Sequence, residues 1–249
     1  MLPNVLRPSA TDHVPVLAAE VRECLAVRPG ETVVDATFGA GGHAAVVLDV
    51  LRSQGGVDII GLLDPNPELW RTTVEGVAVL GDDSLLPSLK AEGIGAAFLG
   101  LGGTGDTRPR QRLYRTALDH GFVLVSAIHP SAVVGGGVRF GVGPTIMAGA
   151  CVNSGTVCGD DVIVNTGAVV EHHCVIGAHV HVATGACLGG GVHVGDGSHV
   201  GLGAAVIQGV RIGSGVIVGA GAVVVRDVPD HVTVVGVPAR VTREHSDDR

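Results

Sequence analysis

The chain has 249 residues, 46% of them hydrophobic and 16% charged, so it can bury a sizeable core in one or two domains. Its net charge of −8 argues against a large nucleic-acid-binding surface. We expect a cytoplasmic protein without a membrane span. No apolar run reaches the roughly 18 residues that a span needs, no secretory signal pattern opens the chain, and five cysteines without a CxxC pair are typical of reduced thiols.

The first elements are less regular than the rest of the chain. Residues 1–12 form a polar leader, and residues 16–27 have helical spacing that stops at Pro29 and Gly30. We therefore treat residues 1–31 as an N-terminal extension.

The next segment has the pattern of a nucleotide-binding sheet. It reads as a strand at 32–36, a glycine loop at 38–43, a helix at 44–51 and a strand at 57–63. Gly39, Gly41 and Gly42 leave room for a backbone to approach a pyrophosphate, and His43 follows them. Asp64 ends the second strand, where such folds place a carboxylate for a ribose or base. These five residues are candidate substrate-binding residues.

Three further elements complete a predicted Rossmann-like domain over residues 32–128. They are a strand at 96–101, an arginine-rich helix at 108–120 and a strand at 122–127. The domain boundary is expected near residue 128.

An aliphatic residue then returns at every sixth position from Val134 to Val224, broken only by Phe140 and Cys158. A period of six fits a three-sided coil of short strands and predicts a left-handed parallel β-helix of about five turns. We assign residues 129–241 to this domain and 242–249 to a tail. Glycine or asparagine, such as Asn153 and Asn165, is expected at corners that need a positive φ. Residues 226–238, with two prolines, are predicted to be a loop that folds back on the coil.

The glycine loop, Asp64, the HPSA sequence at 129–132 and the coil, in this order, resemble PglD/NeuD-like sugar acetyltransferases of bacterial nucleotide-sugar and sialic-acid pathways. The most specific stretch is NTGAVVEH at 165–172, followed by VIG at 175–177, and VGVPAR at 235–240 closes the match. The resemblance implies a homotrimer that moves an acetyl group from acetyl-CoA to an amine or hydroxyl of a sugar, in surface-glycan biosynthesis. It also implies that the N-terminal sheet holds the nucleotide of a sugar nucleotide, expected to be a UDP-amino-sugar, and that CoA lies along the coil between subunits.

The resemblance also implies roles for particular residues. His172 matches the general base and Asn165 a contact to the sugar. The residues matched to acetyl-CoA binding are His181, Gly190 and Leu202, with the Gly190 amide meeting the thioester. Two positions depart from the family pattern. His173 stands where an acidic residue usually follows the base, so Glu171, His173 or a neighbouring subunit is left to orient His172, and Pro65 replaces a second acidic residue.

The start of the chain resembles a different family. HVPVL at 13–17 and DATFGAGGH at 35–43 are similar to the opening of the ribosomal small-subunit RNA cytosine methyltransferases, whose glycine loop binds S-adenosylmethionine. No methyltransferase-like pattern continues after the loop, so we interpret residues 1–32 as an alternative start joined to an acetyltransferase.

The proposed chemistry is direct attack of a sugar amine on acetyl-CoA, with neutral His172 as base and the Gly190 amide as oxyanion donor. Cys174 is expected to face inward and is not a candidate nucleophile. His181 lies nine residues, or one and a half faces of the coil, after His172. The two histidines therefore point to different sides, and a shared site needs a second subunit.

Two alternatives stay open. A zinc enzyme like the γ-type carbonic anhydrases would use histidines from two subunits, although no metal is expected here and His193 with His199 is weak support. A non-catalytic coil that only trimerises the N-terminal domain is the other. For His179, His193 and His199 the expected environment is a solvated corner.

Overall fold

The computed structural model describes residues 31–35 and 42–245. The leader, the helical pattern at 16–27 and the glycine loop with Gly39 and Gly41 lie outside these ranges, and so does the end of the predicted tail. Gly42 is the first residue of a helix.

The N-terminal part contains a six-stranded sheet. Its strands are β1 (Glu31–Asp35), β2 (Val57–Leu63), β3 (Thr73–Val74), β4 (Val77–Gly81), β5 (Ala96–Phe98) and β6 (Val123–Leu124). They lie in the order β3-β4-β2-β1-β5-β6, and all neighbours are parallel except β3 and β4. The helices are α1 (Gly42–Gln54), α2 (Leu86–Ala91) and α3 (Arg108–Asp119), with 3-10 turns at Pro67–Leu69 and Asp83–Leu85.

Most of the predicted elements of this part are confirmed. The exceptions are the third strand, which ends at Phe98 instead of residue 101, and three short elements that the sequence did not predict, β3, β4 and α2. The two residues of β3 and the six of α2 are too few for a hydrophobic period to be recognised, and β4 has no polar residue to mark its exposed positions.

The helices cover both sides of this sheet. On one side α1 buries Val47, Leu48 and Leu51 in a cluster that also contains Met147 of the coil. Helices α2 and α3 pack on the opposite side in a separate cluster. The end of α1 is tied to the coil, because the Gln54 side chain accepts a hydrogen bond from the Ile128 amide at 2.9 Å.

The C-terminal part is a coil of two-residue strands arranged in three stacked parallel sheets. The first face contains Ala127–Ile128, Thr145–Ile146, Ile163–Val164, His181–Val182, His199–Val200 and Ile217–Val218. The second face contains Val133–Val134, Cys151–Val152, Val169–Val170, Cys187–Leu188, Ala205–Val206 and Val223–Val224. The third face contains Arg139–Phe140, Val157–Cys158, Val175–Ile176, His193–Val194 and Arg211–Ile212. Each strand pairs with the strand 18 residues later, for example Val169 with Cys187.

The six-residue period is therefore confirmed as a parallel coil, and it begins one strand earlier than Val134. The predicted strand at 122–127 is divided, because Val123–Leu124 joins the N-terminal sheet and Ala127–Ile128 opens the coil. From Ile146 to Val224 no inward residue of the period is more than 3% exposed. These side chains form one continuous core along the axis.

The corners differ from the prediction. A positive φ recurs at every sixth position from Gly137 to Gly221, two residues after the frequent glycine of the repeat. Asn153 and Asn165 are not among these residues, so their predicted positive φ is wrong. The earlier glycines serve a steric purpose instead. A Cβ on Gly135, for example, would lie 2.5 Å from the Ser154 backbone nitrogen of the next turn.

Residues 226–238 are only partly a loop. Val232–Val235 adds a parallel strand to the first face beside Ile217–Val218, and Arg240–Glu244 pairs with it in the antiparallel direction. The prediction of a loop is wrong for the strand. All five residues of Arg240–Glu244 are exposed.

The three faces have different surroundings. The N-terminal part covers the outward side chains of the first face, so that His181 and His199 are buried there. The outward side chains of the second face are small, apolar and exposed or half-buried: Val133, Cys151, Val169, Cys187, Ala205 and Val223. Within residues 42–245, no helix combines the length and apolar character needed to cross a membrane.

Candidate active site

Asp64 lies at the carboxyl end of β2, as predicted. It is 2% exposed, and its Oδ1 accepts a hydrogen bond from the Asn66 amide at 2.8 Å. Its backbone carbonyl accepts a hydrogen bond from Trp70 Nε1 at 2.7 Å. The turn after β2 is thus fixed by Asp64, and a contact of its carboxylate with a ribose or base stays a prediction.

His43 lies in the first turn of α1. A Cβ on Gly102 would be only 3.5 Å from its ring, so His43 faces the loop that follows β5. Burial, and to a smaller extent the nearby charge of Arg110, lowers the pKa of His43 to about 4. Its Nε2 has no hydrogen-bond partner within the described residues. His43 is therefore a neutral imidazole at pH 7, and a contact of its ring with a substrate stays a prediction.

Asn165 lies at the first corner, which joins the first and second faces, beside His181 of a first-face strand. Asn165 Oδ1 accepts from the Thr166 amide at 2.7 Å, and Asn165 Nδ2 lies 3.1 Å from His181 Nε2. His181 Nδ1 lies 3.0 Å from the Gly103 carbonyl. Because a carbonyl only accepts, Nδ1 of His181 carries the proton and Nε2 accepts from Asn165.

His181 is thus held as one tautomer between the coil and the N-terminal part. Burial lowers its pKa to about 3, against the opposing effect of the Gly103 carbonyl. Both of its ring nitrogens are already used within one chain. His181 therefore fixes the side chain of Asn165 and the backbone at Gly103, and a contact of Asn165 with the sugar stays a prediction.

His199 was not predicted to belong to this cluster. It is 6% exposed, one turn below His181, with the two ring centroids 4.9 Å apart. Burial lowers its pKa, partly offset by the Gly103 carbonyl, and its Nδ1 has no partner in the described part of the chain. The predicted solvated corner is wrong for His199, because loop residues distant in sequence cover it. His193 lies half-buried on a strand of the third face, which is also not a corner.

Arg110 of α3 joins this loop to the coil. Its Nε donates to Asp161 Oδ1 at 2.8 Å, and the two side chains are 3% and 0% exposed. The guanidinium also donates to the carbonyls of Leu99 and Leu101. The loop after β5 is therefore held against the coil by a buried ion pair.

His179 and Tyr114 extend the same contact. His179 Nδ1 lies 3.0 Å from Asp161 Oδ2, and the Tyr114 hydroxyl donates to Asp160 Oδ2 at 3.1 Å. Burial and the Asp160 contact raise the pKa of Tyr114 to about 12. His179 is a corner residue as predicted, with φ 59°, but it belongs to this network instead of being merely solvated.

His172 lies at the second corner, which joins the second and third faces. Its Nδ1 is 3.0 Å from His173 Nδ1, and its backbone amide donates to Glu171 Oε2 at 3.3 Å. Both histidine rings are exposed in the single chain. A Cβ on Gly190 would lie 2.7 Å from His172 Nε2, so the ring lies directly over this glycine. The structure thus brings His172, His173 and Gly190 together.

The histidines form two groups, His181 with Asn165 near the first corner and His172 with His173 at the second corner of one chain. Among the described residues His172 contacts His173, whereas Asn165 contacts His181. Leu202, which is 60% exposed, lies on the same corner as Asn165. Of the cysteines in the described ranges, Cys158 and Cys174 are buried, and burial raises the pKa of Cys158 to about 12. No cluster of potential metal ligands occurs within residues 31–35 and 42–245.

Two family models match the chain. The PglD N-terminal domain matches residues 36–117 and the MraW methylase family matches residues 10–61. Among solved structures, PerB of Caulobacter crescentus, crystallised with CoA and GDP-perosamine, is 47% identical with a TM-score of 0.78 over 88% of this chain and 99% of PerB. The chain belongs to the PglD-type sugar acetyltransferases.

Other members of this family are also similar in structure. The acetyltransferase domain of PglB from Neisseria gonorrhoeae is 35% identical, with a TM-score of 0.77 over 86% of this chain and all of that domain. WeeI of Acinetobacter baumannii is 28% identical with a TM-score of 0.72 over 85% of this chain and all of WeeI.

The second match concerns the other resemblance. Ribosomal RNA small subunit methyltransferase H of Symbiobacterium thermophilum is 42% identical over 95 residues, which are 37% of this chain and 29% of that protein. The chain thus spans less than a third of the length of this methyltransferase.

Proposed function

We propose that the chain transfers an acetyl group from acetyl-CoA to the amine of a nucleotide-linked sugar, in sites shared between the subunits of a homotrimer. The observation that carries this proposal is the position of the two histidine groups on either edge of the second face. Asn165 and His181 flank one edge, and His172 flanks the other.

The second face is suited to the trimer contact. Its outward residues are small and apolar, and no other element of the described residues covers them. If three such faces surround a threefold axis, the first corner of each subunit meets the second corner of the next. Three equivalent sites then form, each with Asn165 from one subunit and His172 from its neighbour. We also propose that the coil is left-handed and that the sheet beside it is Rossmann-like.

The substrates would approach this site from two directions. The carboxyl edge of the sheet, with Asp64, His43 and the Gly102–Gly103 backbone, is suited to the nucleotide and the sugar. Leu202, exposed on the first corner, and Gly190 would lie along the CoA. Because PerB was crystallised with GDP-perosamine, that GDP-linked sugar is tested first, beside the UDP-amino-sugars expected from the sequence.

The chemistry follows from the positions of polar groups at the second corner. His172 Nε2 would accept the proton of the attacking amine, because Nδ1 is engaged by His173. The Gly190 amide, beneath that ring, would donate to the oxyanion of the tetrahedral intermediate. The thiol of CoA leaves as the intermediate collapses, without a covalent enzyme intermediate. The reaction would belong to surface-glycan biosynthesis in the cytoplasm.

The first experiment measures release of the CoA thiol from acetyl-CoA. Acceptors are GDP-perosamine, UDP-linked 4-amino-sugars, free amino sugars and sialic acid. We expect release with a nucleotide-linked amino-sugar and a decrease in kcat of about 100-fold or more for His172→Ala, because a general base contributes about that much. Wild-type turnover in a folded His172→Ala trimer would refute the role of the base, and no release with any acceptor would refute the acetyltransferase proposal.

A second experiment tests whether sites are shared. His172→Ala and Asn165→Ala chains are each inactive in the proposal, but a trimer that contains both has some sites with both residues intact. Random 1:1 mixing after reversible dissociation should restore about one quarter of wild-type turnover, since each site draws two residues from adjacent subunits. Mixed trimers without any recovery would place both residues in one subunit.

A further inference from the structure

The two histidine rings at the second corner are in direct contact. His172 Nδ1 and His173 Nδ1 are 3.0 Å apart, and the ring planes are inclined by 81°. His173 has a left-handed backbone, with φ 58°, and its ring lies over Gly155 of the preceding turn, 3.0 Å from where a Cβ would be. His172 lies over Gly190 of the following turn. A glycine on each side thus leaves space for the pair.

A contact between two ring nitrogens requires that one of them carries the proton. If both rings are neutral, one donates from Nδ1 and has a free lone pair on Nε2. The other accepts on Nδ1 and carries its proton on Nε2. Only one histidine of the pair can therefore act as a base through Nε2. It is the one that donates its Nδ1 proton to the other ring.

We propose that His173 is the positioning residue that holds His172 in the basic tautomer and that it passes on the proton taken from the substrate amine. This inference rests on the proposed role of His172. Nε2 of His172 binds the amine proton while Nδ1 gives its own proton to Nδ1 of His173, which releases its Nε2 proton to water. Each ring gains one proton and loses one, and the pair is left neutral with its tautomers exchanged. In the reverse transfer, water returns a proton to Nε2 of His173, Nδ1 of His173 returns one to Nδ1 of His172, and Nε2 of His172 gives its proton to the departing CoA thiolate, which restores both rings and forms the CoA thiol.

The neighbouring charged group is not placed to do this. Glu171 is engaged with the backbone amide of His172, not with the ring. The adjacent turns present 153–155 and 189–191 to the pair, and these residues carry no titratable side chain. The remaining titratable neighbour is Cys174, whose Sγ donates to the Gly189 carbonyl at 3.3 Å. Within one chain, His173 is therefore the side chain in contact with the His172 ring.

The test uses variants that all tolerate a positive φ. His173→Asn keeps a side-chain acceptor, His173→Gly removes it, and His173→Asp restores the acidic residue typical of the family. His231→Gly is the matched control, because His231 also has a left-handed backbone, with φ 56°, in the last turn. Glu171→Gln tests the competing carboxylate.

We expect kcat to fall about tenfold or more for His173→Gly with little change in either KM, because orientation of a base is part of its catalytic contribution. His173→Asn should retain more of kcat, and added imidazole should restore turnover to His173→Gly through the space that the side chain leaves. In His173→Asp the acid limb of the kcat profile should move to higher pH, because a carboxylate stabilises the imidazolium form of its partner.

Three results would overturn the inference. They are wild-type kcat in His173→Gly while His172→Ala is inactive, a larger loss in Glu171→Gln than in His173→Gly, and an equal loss in His231→Gly. These outcomes leave the role of His172 intact. By contrast, wild-type kcat in both His172→Ala and His173→Gly would mean that the proposed function itself is wrong at this corner.

Discussion

Removal of the buried guanidinium of Arg110 should loosen the contact between the N-terminal part and the coil. Arg110→Met leaves Asp161, which is 0% exposed, with a carboxylate whose remaining partner is His179. It also leaves the carbonyls of Leu99 and Leu101 without this donor. Breaking a buried ion pair in this way costs about 3–5 kcal/mol in the free energy of unfolding.

The expected change in Tm follows from the length of the chain. For a protein of this size, each kcal/mol corresponds to about 2–4 °C, so Tm should fall by about 6–20 °C. The KM for the nucleotide sugar should rise, because the displaced loop carries the Gly103 carbonyl that holds His181. Calorimetry and the CoA thiol assay measure the two effects.

A double variant separates the causes. Arg110→Met with Asp161→Asn removes both charges, and asparagine tolerates the φ of 53° at position 161. It should be more stable than Arg110→Met alone, because no unpaired buried carboxylate remains. Arg108→Met is the control, since Arg108 pairs with Asp106 at the surface and contributes little. A loss below about 1 kcal/mol in Arg110→Met, or a double variant that is no more stable, would refute this reasoning.

Three further predictions concern pH, the corners and the second face. His181 has a folded pKa of about 3, below the value near 6.5 of the unfolded chain, so stability should fall as pH decreases below about 6.5, by at most about 1.4 kcal/mol per pH unit. Urea unfolding at pH 7 to 5 measures how steeply the free energy of unfolding falls with pH, and this pH dependence should be smaller in His181→Gln but not in His120→Gln. An equal pH dependence in His181→Gln and wild type would contradict burial of a neutral imidazole. Gly159→Ala should lower Tm more than Gly203→Asn, because a Cβ at 159 meets the Ala178 nitrogen at 2.6 Å whereas position 203 has open space and φ 62°; the reverse order would contradict the assignment of the corners. The exposed Cys187 should react with a thiol reagent only after the trimer dissociates, so fast labelling of the intact oligomer would exclude the second face as its interface.

The core along the axis of the coil could be predicted from the sequence, because an aliphatic residue recurs at each inward position. The pattern from Val134 to Val224 reports burial directly, whereas glycine has two reasons to recur. One glycine of the repeat is required because a Cβ would clash with the next turn, and the positive φ occurs two positions later. The prediction for Asn153 and Asn165 wrongly assigned the positive φ to the first of these positions. Only backbone geometry separates these two uses.

Residues of the candidate site were predictable where the motif was local and not where the contact is distant. His172 and Gly190 are one turn apart in a regular coil, so their contact follows from the 18-residue register. Burial of His199 depends on a loop about a hundred residues earlier, and the period of six contains no information about that loop. The contact of His173 with His172 occurs with a left-handed backbone at position 173, which histidine adopts less often than glycine.

The final strand has a consequence for how the protein behaves at high concentration. A stack of parallel strands ends in unpaired backbone groups, and such an edge is a template on which another molecule can add. In the first face this edge is occupied by Arg240–Glu244, which runs antiparallel to the stack and carries two arginines and a glutamate among five exposed residues. Reversal of direction and surface charge both disfavour end-to-end addition of a second coil. In the first face, the residues that complete the fold thus also disfavour growth of the coil into a fibre.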